Sequence, residues 1–150
     1  MQEKIRERIL EIQYSFGLTS RMVANCMGIT YGTYHVKRTG HGNFLKRDLE
    51  SLVVSLEEKR ERFNFNIEKV FESKEIKKEF YKKRIAETQN HFGLTGIAMA
   101  EYMNISGTAY SNKKADNVDF FNEENYKKLI TNLHKKFKNF NFESYKVAVN

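Results

Sequence analysis

The feature that most constrains the fold of this chain is an internal repeat that spans almost its whole length. Residues 8–37 and 84–113 are identical at 13 of 30 positions, with a constant offset of 76. Unrelated segments of this composition would match at roughly two positions. The correspondence continues at offset 77 as far as the Phe-Asn-Phe segments at 63–65 and 140–142. We therefore predict two domains of one design, over residues 1–73 and 74–150.

Each copy is predicted to be helical. The 150 residues include no Pro and only eight Gly, which disfavours turn-rich β architectures. In the first copy, Ile5, Ile9, Ile12 and Phe16 recur at helical spacing, and Gly17 follows where a helix end favours a positive φ. The pattern predicts a first helix that ends at Phe16.

Two short helices are predicted to follow in each copy. Thr19 can cap a helix that ends before Gly28, and Thr30 can cap a third helix over roughly residues 31–38. The turn between these helices requires a residue that tolerates left-handed backbone, and Gly28 meets this requirement in the first copy. Asn104 stands at the equivalent position of the second copy.

A longer helix and a terminal turn complete each copy. Apolar residues at 49, 52, 53 and 56 form one stripe of a helix, and residues 126–133 repeat the stripe. We expect Asn66 to cap a last turn that carries Ile67, Val70 and Phe71. Each copy is thus predicted to contain about five short helices.

A set of residues recurs in both copies at the spacing of one recognisable motif. In the first copy the set is Leu18-Thr19, Ala24, Gly28-Ile29-Thr30, Thr33-Tyr34, Lys37, Gly40 and Phe44; in the second it is Leu94-Thr95, Ala100, Asn104-Ile105-Ser106, Ala109-Tyr110, Lys113 and Phe121. The set resembles the helix-turn-helix family of Cro-type and phage-repressor-type regulators. The resemblance implies an all-α chain of two tandem lambda-repressor-like units. It also implies a DNA-binding transcription regulator, for example a repressor of phage or mobile-element origin.

The resemblance further implies which residues contact double-stranded DNA. The base-contact candidates are Tyr31, Gly32, Thr33, His35 and Val36 in the first copy and Thr108 and Asn112 in the second. Basic and hydroxyl side chains and helix N-termini contact phosphate. The phosphate-contact candidates are Ser20, Arg21, Lys37, Arg38, His41, Lys113 and Lys114. Two fused units, or a homodimer of the chain, would then contact separated half-sites.

Charge also favours an anionic partner, because the chain carries a formal charge of +7. Residues 1–75 hold 13 basic and 11 acidic side chains, and residues 76–150 hold 13 and 8. The excess of the second half lies mainly at residues 77–84 and 127–138, outside the predicted recognition helix. The second copy is therefore expected either to bind phosphate along a different face or to serve as a dimerisation or partner-binding module.

The same residues support a second hypothesis from another class of function. The predicted recognition helices have no side chain at Gly32 and Gly107, and Gly96-Ile97 replaces Ser20-Arg21 in the second copy. Acidic residues add negative charge there, at Glu101, Asp116 and Asp119. These features favour a module that binds a protein or ribonucleoprotein, such as an inhibitor of a host or defence system.

Other classes are disfavoured by the residues that the chain lacks. Cys26 is the single cysteine, so no intramolecular disulfide can form and a reducing cytoplasm is the expected location. The four histidines show no metal-ligand spacing with Cys26, and no nucleophile, base and orienting group form a recognisable set. No segment has the apolar length of a membrane span or signal peptide. We therefore expect no enzyme, cofactor, metal or membrane partner.

Overall fold

The computed structural model describes residues 2–67, 73–115 and 119–147, and the helices and strands assigned in these ranges are all α-helices. The first copy contains α1 (Gln2–Phe16), α2 (Ser20–Met27), α3 (Tyr31–Arg38) and α4 (Lys46–Glu61). The second contains α5 (Lys74–Phe92), α6 (Gly96–Met103), α7 (Gly107–Ala115), α8 (Glu123–Asn139) and α9 (Phe142–Val147). The all-α prediction is confirmed.

The helices of the first copy begin and end at the residues that the sequence predicted. The hydroxyl of Thr19 accepts a hydrogen bond of 3.1 Å from the Met22 amide, and the hydroxyl of Thr30 accepts one of 3.1 Å from the Thr33 amide. Gly28 ends α2 with a φ of 70°. The left-handed residue turns the chain from α2 into α3 within three residues, and the side-chain caps satisfy the first amides of both helices.

The second copy forms the same caps with different residues. Ser106 accepts a hydrogen bond of 3.0 Å from the Ala109 amide, and Thr95 accepts one of 3.1 Å from the Ala98 amide. Asn104 has a φ of 58° and is the one non-glycine residue with a positive φ in the described ranges. Asparagine tolerates this conformation better than most residues, so the turn keeps its geometry without glycine.

The terminal turn is described in the second copy. In the second copy the side chain of Asn141 accepts a hydrogen bond of 3.3 Å from the Ser144 amide at the start of α9. Its equivalent in the first copy is Asn64, whose side chain accepts a hydrogen bond of 2.9 Å from the Asn66 amide. The turn expected after Asn66 lies on residues 68–72, outside the described residues.

The chain folds into two compact units that do not coincide with the two repeat copies. Unit 1 comprises Met1–Phe63 together with Asn139–Asn150, and unit 2 comprises Asn64–Lys138. Each unit thus combines four helices of one copy with the C-terminal segment of the other. The predicted division at residue 73 separates the two copies of the repeat. In the packed structure, however, the units exchange their C-terminal segments, and each exchanged segment begins at a Phe-Asn-Phe sequence.

Equivalent aromatic contacts hold the exchanged segment in each unit. In unit 1 the ring of Phe142 stacks on that of Phe16, with 5.9 Å between the centroids. In unit 2 the rings of Phe65 and Phe92 lie 6.1 Å apart. Phe16 and Phe92 end the first helix of their copies, and Phe65 and Phe142 occupy the same repeat position. The same contact is therefore made twice, each time by a segment from the other copy.

In unit 1, α2 packs against α3 and α4, and α1 contacts both of these helices. Ala24 is buried in α2, and its small side chain allows close helix approach. Cys26 is buried as expected, while Met22 and Ile29 are half-buried. The core of the unit consists mainly of Ile5, Ile9, Ile12, Phe16, Leu18, Val23, Met27, Tyr34, Phe44, Leu49, Leu52, Val53 and Leu56.

The core of unit 2 repeats this arrangement with larger aromatic residues. Tyr81 and Tyr126 replace Ile5 and Leu49, and their ring centroids lie 5.8 Å apart. The predicted stripe of α8 is buried at Tyr126, Leu129, Ile130 and Leu133. None of the helices in the described part of the chain has the length and apolar composition that a membrane crossing requires.

Candidate nucleic-acid interface

The exposed residues of α2 and α3 in unit 1 form a continuous candidate surface, which we call the α2–α3 face. Because Thr30 caps α3 and Tyr34 is fully buried, the orientation of this helix relative to the core is fixed. The remaining positions of its first two turns point to solvent. They include all five base-contact candidates of the first copy, Tyr31, Gly32, Thr33, His35 and Val36.

An arginine and two rings lie together at the start of α3. The guanidinium carbon of Arg21 is 5.0 Å from the centroid of the Tyr31 ring, and the His35 ring stacks on Tyr31 at 6.4 Å. Arg21 is exposed. The contact with the ring orients the guanidinium without using its N–H groups, which leaves those donors available to an anion.

A second arginine is held at the other end of α3. Arg38 donates hydrogen bonds to the hydroxyl of Tyr14 and, at 3.5 Å, to that of Ser20. The carbonyl of Arg38 accepts a hydrogen bond of 2.8 Å from Arg6. The Tyr14 contact raises the pKa of Arg38, which stays charged. An arginine held in this way loses less conformational entropy when it binds an anion than a mobile one does.

A buried glutamine connects the helices that carry this face. Gln13 accepts a hydrogen bond from the hydroxyl of Tyr34, and its amide nitrogen donates to the Leu18 carbonyl and to the Ser20 hydroxyl, each at 3.2 Å. Burial raises the pKa of Tyr34 to about 12, so its hydroxyl remains a donor at neutral pH. One side chain thereby links α1, the start of α2 and the middle of α3.

Unit 2 contains the same polar network. The hydroxyl of Tyr110 donates a hydrogen bond of 2.6 Å to Gln89, whose amide nitrogen donates at 3.1 Å to the Leu94 carbonyl. Burial raises the pKa of Tyr110 to about 12. We call the hydrogen-bonded glutamine and tyrosine of each unit its internal frame. The frame that orients α7 in unit 2 is therefore equivalent to the frame that orients α3 in unit 1.

Lys37, a phosphate-contact candidate, is engaged inside unit 1. Its ammonium forms an ion pair of 3.1 Å with the buried carboxylate of Asp48. The same Asp48 oxygen accepts a hydrogen bond of 2.7 Å from the Leu45 amide at the start of α4. The lysine thus neutralises a carboxylate that caps α4, and a pair buried to this degree is costly to break.

Lys113, the equivalent candidate in unit 2, is even less accessible, with 8% of its side chain exposed. Its ammonium lies 2.9 Å from Asp119 and donates a hydrogen bond of 3.0 Å to the Phe120 carbonyl. The capping role of Asp48 is taken in unit 2 by the neutral Asn125, which accepts a hydrogen bond of 3.0 Å from the Asn122 amide. The lysine has changed its carboxylate partner, and both lysines serve the fold.

The remaining candidates lie on the surface. His41 is exposed, and its amide donates a hydrogen bond of 3.1 Å to the Val36 carbonyl just after α3. Lys114 is exposed on α7, with its ammonium 6.0 Å from the centroid of the Tyr110 ring. Thr108 is exposed and Asn112 is half-buried on the same helix. Thr108, His41 and Lys114 are therefore accessible to solvent.

The corresponding surface of unit 2, which we call the α6–α7 face, has different chemistry. Ile97 stands at the position of Arg21 and is 74% exposed. Gly96 and Gly107 replace Ser20 and Tyr31. The exposed Glu101 adds negative charge, and Asp116 lies outside the described residues. This face is therefore small, partly apolar and without an arginine.

The sequence-based prediction missed Tyr14, which is 62% exposed on α1 and holds Arg38. Its position between Ile12 and Phe16 gives it an outward direction in a helix whose inward residues are apolar. An aromatic residue on the polar face of a helix was thus the feature of the sequence that could have identified Tyr14. Its partner, 24 residues further along the chain, depends on tertiary packing that periodicity does not reveal.

The metal-ligating side chains and the single cysteine were the remaining candidates for chemistry. In the ranges that the structure describes, no group of three or more His, Cys, Asp or Glu side chains could hold a metal ion. Burial raises the pKa of the Cys26 thiol, which disfavours a reactive thiolate.

Comparison with protein-family models, curated proteins and solved structures gives no match to this chain.

Proposed function

We propose that this chain is a DNA-binding transcription regulator built from two helix-turn-helix units, in which α3 of unit 1 enters the major groove. The α2–α3 face carries the proposal. It combines the exposed first turns of a short, capped helix with Arg21 and Arg38, each held by a tyrosine. An exposed helix flanked by oriented cations suits a groove bordered by phosphates.

Phosphate contacts are assigned to Ser20, Arg21 and Arg38. Ser20 accepts hydrogen bonds from Gln13 and Arg38, and its own hydroxyl hydrogen remains available as a donor to phosphate. Lys37 is left out of this set because its ammonium is paired with buried Asp48. We expect these contacts to set affinity for DNA of any sequence.

Base contacts are assigned to Tyr31, Thr33, His35 and Val36. The Thr33 hydroxyl and the His35 imidazole can exchange hydrogen bonds with base edges, and Val36 can contact a thymine methyl group. The exposed positions of α3 offer no Arg, Asn or Gln that could bind a base through two hydrogen bonds. We therefore expect sequence discrimination to be modest.

The direct test is fluorescence anisotropy with labelled duplexes of several sequences. The double variant Arg21→Ala/Arg38→Ala should weaken binding to every duplex about tenfold or more. The slope of log Kd against log salt concentration should decrease by the amount that corresponds to about two lost phosphate contacts. Arg60→Ala/Arg62→Ala removes the same charge at the end of α4 and should change affinity far less. Equal losses in the two double variants, or no binding by the wild type at low salt, would reject the proposal.

A second candidate function is protein binding through the α6–α7 face. The observation that favours it is Ile97, a large apolar side chain that is 74% exposed between Gly96 and a buried Ala98. Exposed apolar residues with small neighbours suit a protein surface better than a phosphate backbone. If this function is correct, Ile97→Glu should abolish co-purification of a native partner. The same variant of the full chain should keep the wild-type affinity for labelled duplex DNA in the anisotropy experiment.

A further inference from the structure

Unit 2 contains a groove that is separate from the α6–α7 face and plays no part in the proposed DNA contacts. It lies between the first turns of α5 and the segment that leads into α8, and its volume is about 430 Å³. This volume is within the range of small-molecule sites in proteins. The walls combine lysines from α5, aromatic rings from both elements and two carboxylates from the segment that leads into α8.

The α5 wall of the groove is cationic. Lys74, Lys77 and Lys78 are spaced so that they share one side of the helix. In the part of the chain that the structure describes, Lys74 and Lys77 form neither an ion pair nor a side-chain hydrogen bond. Like charges at this spacing destabilise a helix, so the mutual repulsion of these lysines does not support the fold.

Aromatic rings form the rest of the groove. Tyr81 is buried at its base, and Phe120 is 37% exposed. The ammonium of Lys78 lies 3.8 Å from the centroid of the Phe120 ring. An exposed aromatic ring beside cations suits a ligand that joins a planar ring to an anionic group.

The carboxylates beside the groove differ in availability. Asp119 is paired with Lys113, and this contact holds the pKa of its carboxyl below the usual range. Glu123 forms the opposite rim, close enough to Tyr81 to contribute to the raised pKa of that tyrosine. Glu123 can accept hydrogen bonds from ligand hydroxyls, and it disfavours a bare polyanion that would fill the whole groove.

The repeat shows that the groove is not part of the common design. At the equivalent positions of the first copy, Gln2 replaces Lys78, Ile5 replaces Tyr81 and Asn43 replaces Phe120. The equivalent of Lys77 at the same offset is Met1. The cations and the ring are thus additions to unit 2 that the shared scaffold does not require.

We propose that this groove binds a nucleotide, with its phosphates on Lys74 and Lys77 and its base against Phe120. The lysines supply charge for phosphate, the ring supplies a stacking surface, and Glu123 supplies an acceptor for a sugar hydroxyl. Free nucleotides and single-stranded nucleic acid share this chemistry, and the experiment separates the two sources.

The test is calorimetric titration of the full chain with ATP, inorganic pyrophosphate and an oligothymidylate. Wild-type protein should bind ATP at one site per chain, and Lys74→Glu/Lys77→Glu should weaken this binding more than tenfold. Lys135→Glu/Lys136→Glu, with the same charge change on α8, should leave ATP binding within about twofold. If both double variants lose affinity equally, the groove is not the site.

A ring substitution tests the stacking contact. Phe120→Ala should weaken ATP at least fivefold and leave the weaker binding of pyrophosphate unchanged, with the unfolding temperature monitored by circular dichroism as the control for folding. Tighter binding of ATP identifies a free nucleotide as the ligand, and tighter binding of the oligothymidylate identifies a single strand. Unchanged ATP affinity in a folded Phe120→Ala protein would overturn the proposal, as would pyrophosphate binding as tightly as ATP.

Discussion

The α2–α3 face of unit 1 and the α6–α7 face of unit 2 rest on the same internal frame and present opposite chemistry. Both units keep the hydrogen bond between a glutamine and a buried tyrosine, at Gln13–Tyr34 and Gln89–Tyr110, although Gln13 is buried and Gln89 is half-buried. Above this frame Arg21 is replaced by Ile97. Duplication has preserved the groups that fix the helices and has changed the groups that the helices expose.

The comparison teaches that a polar residue must be assigned by its partners before it is assigned to a ligand. Lys37 and Lys113 are retained in both copies, and both neutralise a carboxylate of their own unit. Arg21 and Arg38 are not retained as arginines, and both belong to the exposed surface of unit 1. Among these four cations, the two lysines that are identical in both copies serve the fold, and the two arginines that change belong to the α2–α3 face.

The strongest way to break this comparison is to remove the equivalent core rings. Phe16→Ala and Phe92→Ala should each lower the free energy of unfolding by about 4 kcal/mol, because each removes a fully buried ring and the contact that closes its unit. Urea denaturation followed by circular dichroism measures both values. A cost below about 1 kcal/mol for either variant would show that the two cores are not equivalent.

The ion pair of unit 1 should give the next largest effect. Asp48→Asn copies the residue of unit 2 without supplying a second carboxylate for Lys37, and it should cost about 2 kcal/mol of unfolding free energy. Glu50→Gln is the control, since its pair with Lys46 is exposed and should contribute less than about 0.5 kcal/mol. Similar costs for both variants would contradict a structural role for Lys37.

The tyrosine–glutamine networks should behave alike in the two units. Tyr34→Phe and Tyr110→Phe each leave the glutamine carbonyl without its buried donor, which should cost about 1 kcal/mol in urea denaturation. Tyr14→Phe removes a hydroxyl from an exposed side chain and should cost less than half as much. If only one of the two substitutions lowered the unfolding free energy, the internal frames of the two units would not be equivalent.

Exchange of the surface residues sharpens the functional side of the comparison. Arg21→Ile should weaken binding to duplex DNA about fivefold, or about 1 kcal/mol, because it removes one phosphate contact. Ile97→Arg should leave affinity unchanged or raise it slightly. Anisotropy at two salt concentrations measures both effects. A loss of affinity in Ile97→Arg would place unit 2 in the DNA contact.

The smallest effect is expected at the turns. Gly28→Asn should cost only a few tenths of a kcal/mol, because Asn104 adopts the same left-handed conformation in unit 2. Gly28→Ala should cost about 1 kcal/mol, although nothing lies within 4 Å of the added Cβ, because the φ of 70° strains an alanine. Thermal unfolding distinguishes the two variants, and equal destabilisation would contradict this explanation.

Local signals in the sequence were sufficient for the helices and most of their ends. Thr19 and Thr30 predicted caps that the structure contains, and Gly28 and Asn104 predicted the left-handed turns. Each of these features depends on a few neighbouring residues. The outward positions of α3 were expected only from the resemblance to the helix-turn-helix family.

Features that depend on distant partners could not be predicted in this way. Lys37 meets Asp48 only after α3 and α4 have packed, so the sequence favoured a phosphate contact that its ion pair disfavours. Arg38 and Tyr14 are likewise brought together by the fold. The exchange of C-terminal segments depends on packing that repeat alignment does not contain.

The exchanged Phe-Asn-Phe segments make the two halves of this duplicated chain indivisible. A chain that stops at residue 138 would lack Phe142 and would uncover Phe16, so the damage would appear near the opposite end of the polypeptide. Deleting the first copy would likewise remove Phe65, and the ring of Phe92 would lose its contact with it. A single copy, cut out as the repeat divides the chain, therefore lacks the aromatic segment that packs on its own first helix.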